Sequence, residues 1–227
     1  MRWIMLSILG AILFTGFLLV GQPKLFASEE MPVRNGSPEF TSGGDSFSLT
    51  KRYPLTPEEV ALAASKNLLP ANARTLLRVD AKLKHGDYRW DAEGVPAGTL
   101  NVFVDLERQM ISVFRAGHEI GTAVIVYGDD KMRSPLGVFP ILSKQKDYHS
   151  RSYDAPMPYA MFLTMDGVAL HASPISARRA THGCIGLPEP FAQLLFNAAK
   201  AGDRVQIVRS EPSLRGPLVA APLPDLY

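Results

Sequence analysis

Residues 100–127 alternate β-favouring runs with tight-turn residues, and that pattern confines the chain to a β-rich fold. A strand is expected over 100–105, a turn at Glu107-Arg108-Gln109, a return strand over 110–115, a second turn at Gly117-His118 and a third strand over 119–127. Further strands are expected over 137–142 and 159–164. Asp166-Gly167 predicts a type I′ hairpin, because both of its central positions need positive φ, with a return strand over 168–171. Phe191, Leu194, Leu195 and Ala198 recur at helical spacing, so a helix is expected over 189–201, capped by Gly202. A strand over 204–208 follows. The 18 Gly and 18 Pro suit a fold with many turns.

Of the 227 residues, 46% are hydrophobic, enough for one packed domain with extensions. Arg2 followed by an apolar run over 4–20 reads as a signal peptide or membrane anchor spanning 1–27. Cleavage after Leu25-Phe26-Ala27 is the favoured reading; attachment to the inner membrane through 4–20 is the other. Either places the remainder outside the cytoplasm. Residues 28–98 read as a tether and short helical lead-in. The helix is expected to open at Thr56-Pro57-Glu58-Glu59, with Thr56 as N-cap and Glu59 completing a capping box, and to stop before Pro70. Val79, Leu83, Tyr88 and Trp90 suggest partly buried strand or helix pieces. A catalytic domain is expected over 99–209, and 210–227 forms a Pro-rich tail expected to be disordered.

With 24 Lys and Arg against 22 Asp and Glu, the net charge of +2 shows no basic block suited to nucleic acid. No Gly-rich phosphate loop appears, so no nucleotide cofactor is expected. The single cysteine, Cys184, cannot form an intrachain disulfide, and in an oxidising compartment a lone thiol is a liability unless it is buried or used. It lies in Thr181-His182-Gly183-Cys184, between a loop and a helix start. His171 ends the hairpin's return strand in Ala169-Leu170-His171-Ala172. A thiol attacks a carbonyl as thiolate; a nearby imidazole favours that form by ion pairing and can pass the proton to a leaving amine. Amides at Gly183 could hold a tetrahedral oxyanion, worth roughly 3 kcal/mol per donor, and a helix start would favour negative charge on sulfur. The bland readings are a buried small residue at 184 and a hydrogen-bonded structural histidine at 171. Metal ligation by His182 and Cys184 is disfavoured: zinc needs about four ligands, and His85, His118 and His149 are scattered over turns.

The stretch Met157-Pro158-Tyr159, Leu163-Thr164, Asp166-Gly167-Val168-Ala169-Leu170-His171-Ala172 and Thr181-His182-Gly183-Cys184-Ile185 resembles the catalytic signature of the L,D-transpeptidase (YkuD-type) family. Ser134-Pro135-Leu136-Gly137-Val138-Phe139 resembles that family's (Ser/Thr)-Pro-x-Gly-x-(Phe/Tyr) strand. The resemblance covers about residues 99–209. It implies a mainly β, sandwich-like domain with a short helix after the catalytic cysteine. It implies Cys184 as nucleophile, His171 as general base, His182 as a structuring histidine and Gly183 as the oxyanion-loop glycine, with Tyr159 and Thr181 shaping a substrate groove. The implied partners are peptidoglycan stem peptides and the implied product is a 3→3 cross-link formed through a thioester.

One departure stands out. The family usually carries Arg two residues after the cysteine, where this chain has Gly186; Arg178 or Arg179 could supply the missing charge. The same Cys/His pair could instead serve an L,D-carboxypeptidase or a protein-anchoring enzyme, since water or a protein amine could accept the acyl group. A catalytically silent wall-binding domain is the third reading, and it would have no need of a thiol beside an imidazole.

Overall fold

The computed structural model describes residues 51–79, 81–129, 132–176 and 181–211. The export segment over 1–27, the tether up to residue 50 and the tail from 212 lie outside them. The expected mainly β sandwich is present, built from two sheets.

The first sheet grows from the meander. Strands β4 (Leu100–Asp105), β5 (Met110–Arg115) and β6 (His118–Val124) pair antiparallel in sequence, as the turn residues require. Asp105 Oδ1 accepts the Glu107 amide at 3.0 Å and closes the first turn; positive φ at Ala116 and Gly117 closes the second. β12 (Arg204–Val208) joins β4 in parallel, and β7 (Gly137–Pro140) flanks β12. On the other side lie three short strands from the lead-in. β1 (Arg52–Pro54) pairs with β2 (Thr75–Leu77), β2 pairs with β6, and β3 (Tyr88–Trp90) also pairs with β6. The Arg52 guanidinium, 1% exposed, binds the carbonyls of Glu119 and Asp91, and the buried Glu119 carboxylate accepts the Leu77 amide at 2.8 Å. Residues 52–90 are thereby integrated into the sheet through buried hydrogen bonds.

The second sheet has the order β11 (Ile185–Leu187), β10 (Ala169–Ala172), β9 (Ala155–Phe162), β8 (Ser143–Ser150). β8 is not visible in the sequence pattern because its residues, SKQKDYHS, are mostly exposed and polar. Its strand conformation comes from pairing with β9, and the exposed Lys146 suits an uncovered edge. The hairpin from β9 to β10 departs from type I′: Gly167 alone takes positive φ, at +103°. The Gly167 amide donates to the Thr164 carbonyl at 3.3 Å, so Met165 and Asp166 are the central residues of the turn.

Strand alternation sends side chains of the first sheet both ways. Val102, Val104, Ile111, Val113, Val205 and Ile207 enter the main core with Leu170, Ile185 and Leu187 of the second sheet. Phe103 and Phe114 enter a second cluster with Val60 and Ala63 of α1 (Pro57–Ser65). Sheltering both faces explains why β4 and β5 are buried almost throughout. α1 opens as expected: Glu59 N–H donates to Thr56 Oγ1 at 3.2 Å, and Thr56 N–H donates to the Glu59 carboxylate at 2.8 Å.

α2 (Glu189–Ala198) lies against the second sheet, with Phe191 edge-on to Trp90 at 5.5 Å. Gly202 does not cap it. The chain turns extended at Ala199, and Lys144 Nζ reaches from β8 to the carbonyls of Phe196 and Ala199, 4.4 Å from the Phe196 ring centre. A cation on the terminal carbonyls complements the helix dipole, so the cap comes from the neighbouring sheet.

Candidate active site

β10 and β11 run in parallel, with Leu170 registered on Ile185 and His171 on Gly186. Cys184 directly precedes Ile185, so the cysteine and the histidine stand on the same face of adjacent strands, one diagonal step apart. Leu170 and Ile185 point into the core. Cys184 points to the other side and packs with Met157, Ala160, Phe162, Ala169 and Tyr148.

The segment before the cysteine is held by close backbone contacts. Thr181 N–H donates to the Tyr127 carbonyl at 3.0 Å, and the Thr181 hydroxyl donates to the Cys184 carbonyl. Gly183 takes φ of +101°, a region that penalises any Cβ. Gly128 passes so close that a Cβ there would lie 1.9 Å from the Met132 carbonyl oxygen and 2.8 Å from Gly183 Cα. The Ser134 hydroxyl accepts the Gly128 amide at 3.0 Å, which gives the Ser134-Pro135 motif a physical role: it holds the strand that backs the cysteine loop. Beyond the cysteine, Gly186 and Val126 exchange amide hydrogen bonds of 2.8 and 3.0 Å.

His171 is 8% exposed, and its Nδ1 lies 2.8 Å from the Ala172 carbonyl. A carbonyl only accepts, so Nδ1 carries the hydrogen and Nε2 keeps a free lone pair. Burial lowers the His171 pKa, opposed by that backbone contact. The Cys184 sulfur lies 3.7 Å from the Gly167 carbonyl, to which its hydrogen points. Burial raises the thiol pKa, opposed by the Ala169 backbone. Both shifts favour the uncharged forms, against the expected ion pair. Nor does a helix start adjoin the sulfur, because β11 separates Cys184 from α2.

Two cavities meet at Cys184. One, of about 470 Å³, is lined by His171, Ser173, Thr181 and His182. The other, of about 430 Å³, is lined by Gln145, Tyr148, Thr164, Asp166 and Gly167. Ser150, Tyr153 and Met157 border both. His182 is exposed and lies against the Tyr153 ring, centroids 4.4 Å apart and planes 9° from parallel.

Tyr159 takes φ of +56° and its ring meets Phe196 of α2 at 5.8 Å, so it faces the helix and lines neither cavity. Arg178 and Arg179 lie outside the described residues. Gly186 has no room for a longer residue: a Cβ there would lie 2.7 Å from Val126 Cγ2 and 2.8 Å from Ser173 Cβ. Val126 and Ser173 occupy the space that an arginine side chain would need. No Lys or Arg is among the described residues lining either cavity. Tyr153, Ser150 and Ser173 escaped the sequence reading, because nothing in their spacing indicates that the β8–β9 turn and the end of β10 border the cysteine.

Residues 101–207 match the model of the YkuD family, the L,D-transpeptidase catalytic domain. L,D-transpeptidase 1 of Mycobacterium tuberculosis is 27% identical over 134 residues, covering 51% of this chain and 53% of the relative. The chain therefore spans about half the length of the curated relatives it matches. Among solved structures, an L,D-transpeptidase from Stackebrandtia nassauensis superposes with a TM-score of 0.47 at 25% identity, over 52% of this chain and 58% of that one. One from Mycobacterium tuberculosis H37Rv gives a TM-score of 0.46 at 22% identity, over 49% and 58%.

Proposed function

We propose, from the match of residues 101–207 to the YkuD-type L,D-transpeptidase catalytic domain, that the protein cross-links peptidoglycan stem peptides, with Cys184 as nucleophile and His171 as general base. The observation that supports this most directly is the placement of the sulfur at the junction of two cavities, with His171 in the wall of one. The Nδ1 contact with Ala172 leaves Nε2 as the basic nitrogen of the pair.

Because burial favours a neutral thiol and a neutral imidazole, proton transfer accompanies attack. As Sγ bonds to the carbonyl carbon of the third stem residue, its proton passes to Nε2. The amides of Gly183 and Cys184 receive the oxyanion, since neither donates to a backbone acceptor among the described residues. The C–N bond then breaks, D-alanine leaves with the proton from His171, and a thioester remains. An amine of a second stem gives its proton to Nε2, attacks the thioester and releases the thiol, forming a 3→3 link. Thr181 and His182 position the loop and Gly183 supplies its turn.

The apolar run over 4–20 supports delivery across the inner membrane, with residues 28–98 preceding and 210–227 following a catalytic unit over 99–209, whose first sheet β1, β2 and β3 extend. Among the described residues, no helix is long and apolar enough to cross a membrane.

Intact mass after exposure to a carbapenem tests the nucleophile: a covalent adduct is expected on the wild type and none on Cys184→Ala. An equal adduct on both proteins would defeat the assignment. Muropeptides from sacculi incubated with the protein identify the acceptor. Cross-linked dimers support transpeptidation, whereas tripeptides alone would show that water accepts the acyl group.

A further inference from the structure

Residues 126–128 hold the chain on both sides of the nucleophile. Val126 exchanges amide hydrogen bonds of 2.8 and 3.0 Å with Gly186, which follows Cys184. The Tyr127 carbonyl accepts the Thr181 amide at 3.0 Å, and the Thr181 hydroxyl donates onward to the Cys184 carbonyl. Where the sulfur stands therefore depends on where residues 126–128 stand. The Tyr127 side chain is half-buried and packs against the main core, while the Arg209 guanidinium carbon lies 5.9 Å from its ring centre.

Arg209 is itself held in place. Its Nη1 donates to the Glu107 carboxylate at 3.2 Å. The buried Asp105 Oδ1 accepts the amides of Glu107 and Ser210, at 3.0 and 3.2 Å, so one carboxylate fixes the backbone beside both members of the pair. Hydrogen bonding to the Tyr127 side chain is the first cause of the raised Arg209 pKa, ahead of hydrogen bonding to Glu107. Arg209, Glu107 and Tyr127 line neither cavity at Cys184, so substrate contact gives them no role there. We propose that Arg209, oriented by Glu107, is a positioning residue for Cys184, acting through Tyr127 on the backbone that carries Thr181 and Gly186. This deepens the catalytic reading above and rests on Cys184 as nucleophile.

Carbapenem acylation of Cys184 in the full chain provides the test, followed to saturation so that limiting rate and half-saturating concentration separate. Arg209→Ala should lower the limiting rate about threefold, the scale of an exposed cation–π contact, and leave half-saturation unchanged. Arg209→Lys keeps a cation beside the ring and should recover most of the rate. In a Tyr127→Leu background, Arg209→Ala should have no further effect, because the two residues act in series. The proposal is overturned by a full rate in Arg209→Ala, or by a loss carried in half-saturation instead of the rate. A lysine variant as slow as the alanine one, or losses that multiply in the double variant, overturns it equally. If Tyr127→Leu does not fold, the lysine rescue and the half-saturation decide. Any of these failures with wild-type acylation intact leaves Cys184 as nucleophile. No adduct on the wild type removes this proposal together with the catalytic reading.

Discussion

Tyr153 lies flat on His182, the two rings 4.4 Å apart, and bridges the rims of both cavities at Cys184. The contact joins the turn between β8 and β9 to the cysteine loop.

Loss of that stack should loosen the loop. An aromatic pair is worth about 1 kcal/mol beyond its buried area, so Tyr153→Ala should slow carbapenem acylation of Cys184 by roughly fivefold. Tyr153→Phe should acylate within about twofold of wild type. Stopped-flow acylation rates decide, and an Ala variant as fast as wild type would remove Tyr153 from any positioning role.

The directions in which burial moves His171 and Cys184 fix the direction of the pH dependence. His171 is held below the ordinary imidazole value by burial, so the acid limb of acylation should fall below the ordinary histidine range. Cys184 is held above the ordinary thiol value, so alkylation by iodoacetamide should accelerate only at a pH above that of a free thiol. An inflection near neutrality would instead reveal a thiolate–imidazolium pair. For stability the sign follows from the depressed histidine pKa. The unfolded chain takes up the His171 proton first as pH falls, so this residue's contribution is complete above about 6.5 and declines below it.

Packing at Gly186 makes the departure from the family pattern a structural requirement. Gly186→Ala should cost about 1–3 kcal/mol, a Tm loss of several degrees, because Val126 and Ser173 must shift. Gly186→Arg adds a charge to a buried strand and should fail to give a cooperative thermal transition. An arginine variant that melts like wild type would show that the site opens readily.

Gly128 backs the cysteine loop against backbone, which yields less than a side chain does. Gly128→Ala should displace the Met132 carbonyl and Gly183, lower stability by about 2 kcal/mol and reduce acylation at least tenfold. Thermal melting alongside acylation of the folded fraction separates the two effects; wild-type acylation by that fraction would refute the positioning argument.

The meander from Leu100 to Val124, β12, the Thr56 capping box and the start of α2 were legible in the residues, because each depends on local alternation, turn chemistry or helical spacing. The cysteine, the histidine and the loop glycine were legible through a short ordered motif. Tertiary structure decided the rest. β8 is a strand only because β9 pairs with it, and Tyr159 faces α2 because its backbone turns to positive φ. Two cavities meet at one sulfur because the turn between β8 and β9 brings Tyr153 onto His182 of the cysteine loop. Burial then shifts both titrating groups toward their neutral forms. Such properties arise from contacts between residues far apart along the chain, and local residue order carries no trace of them.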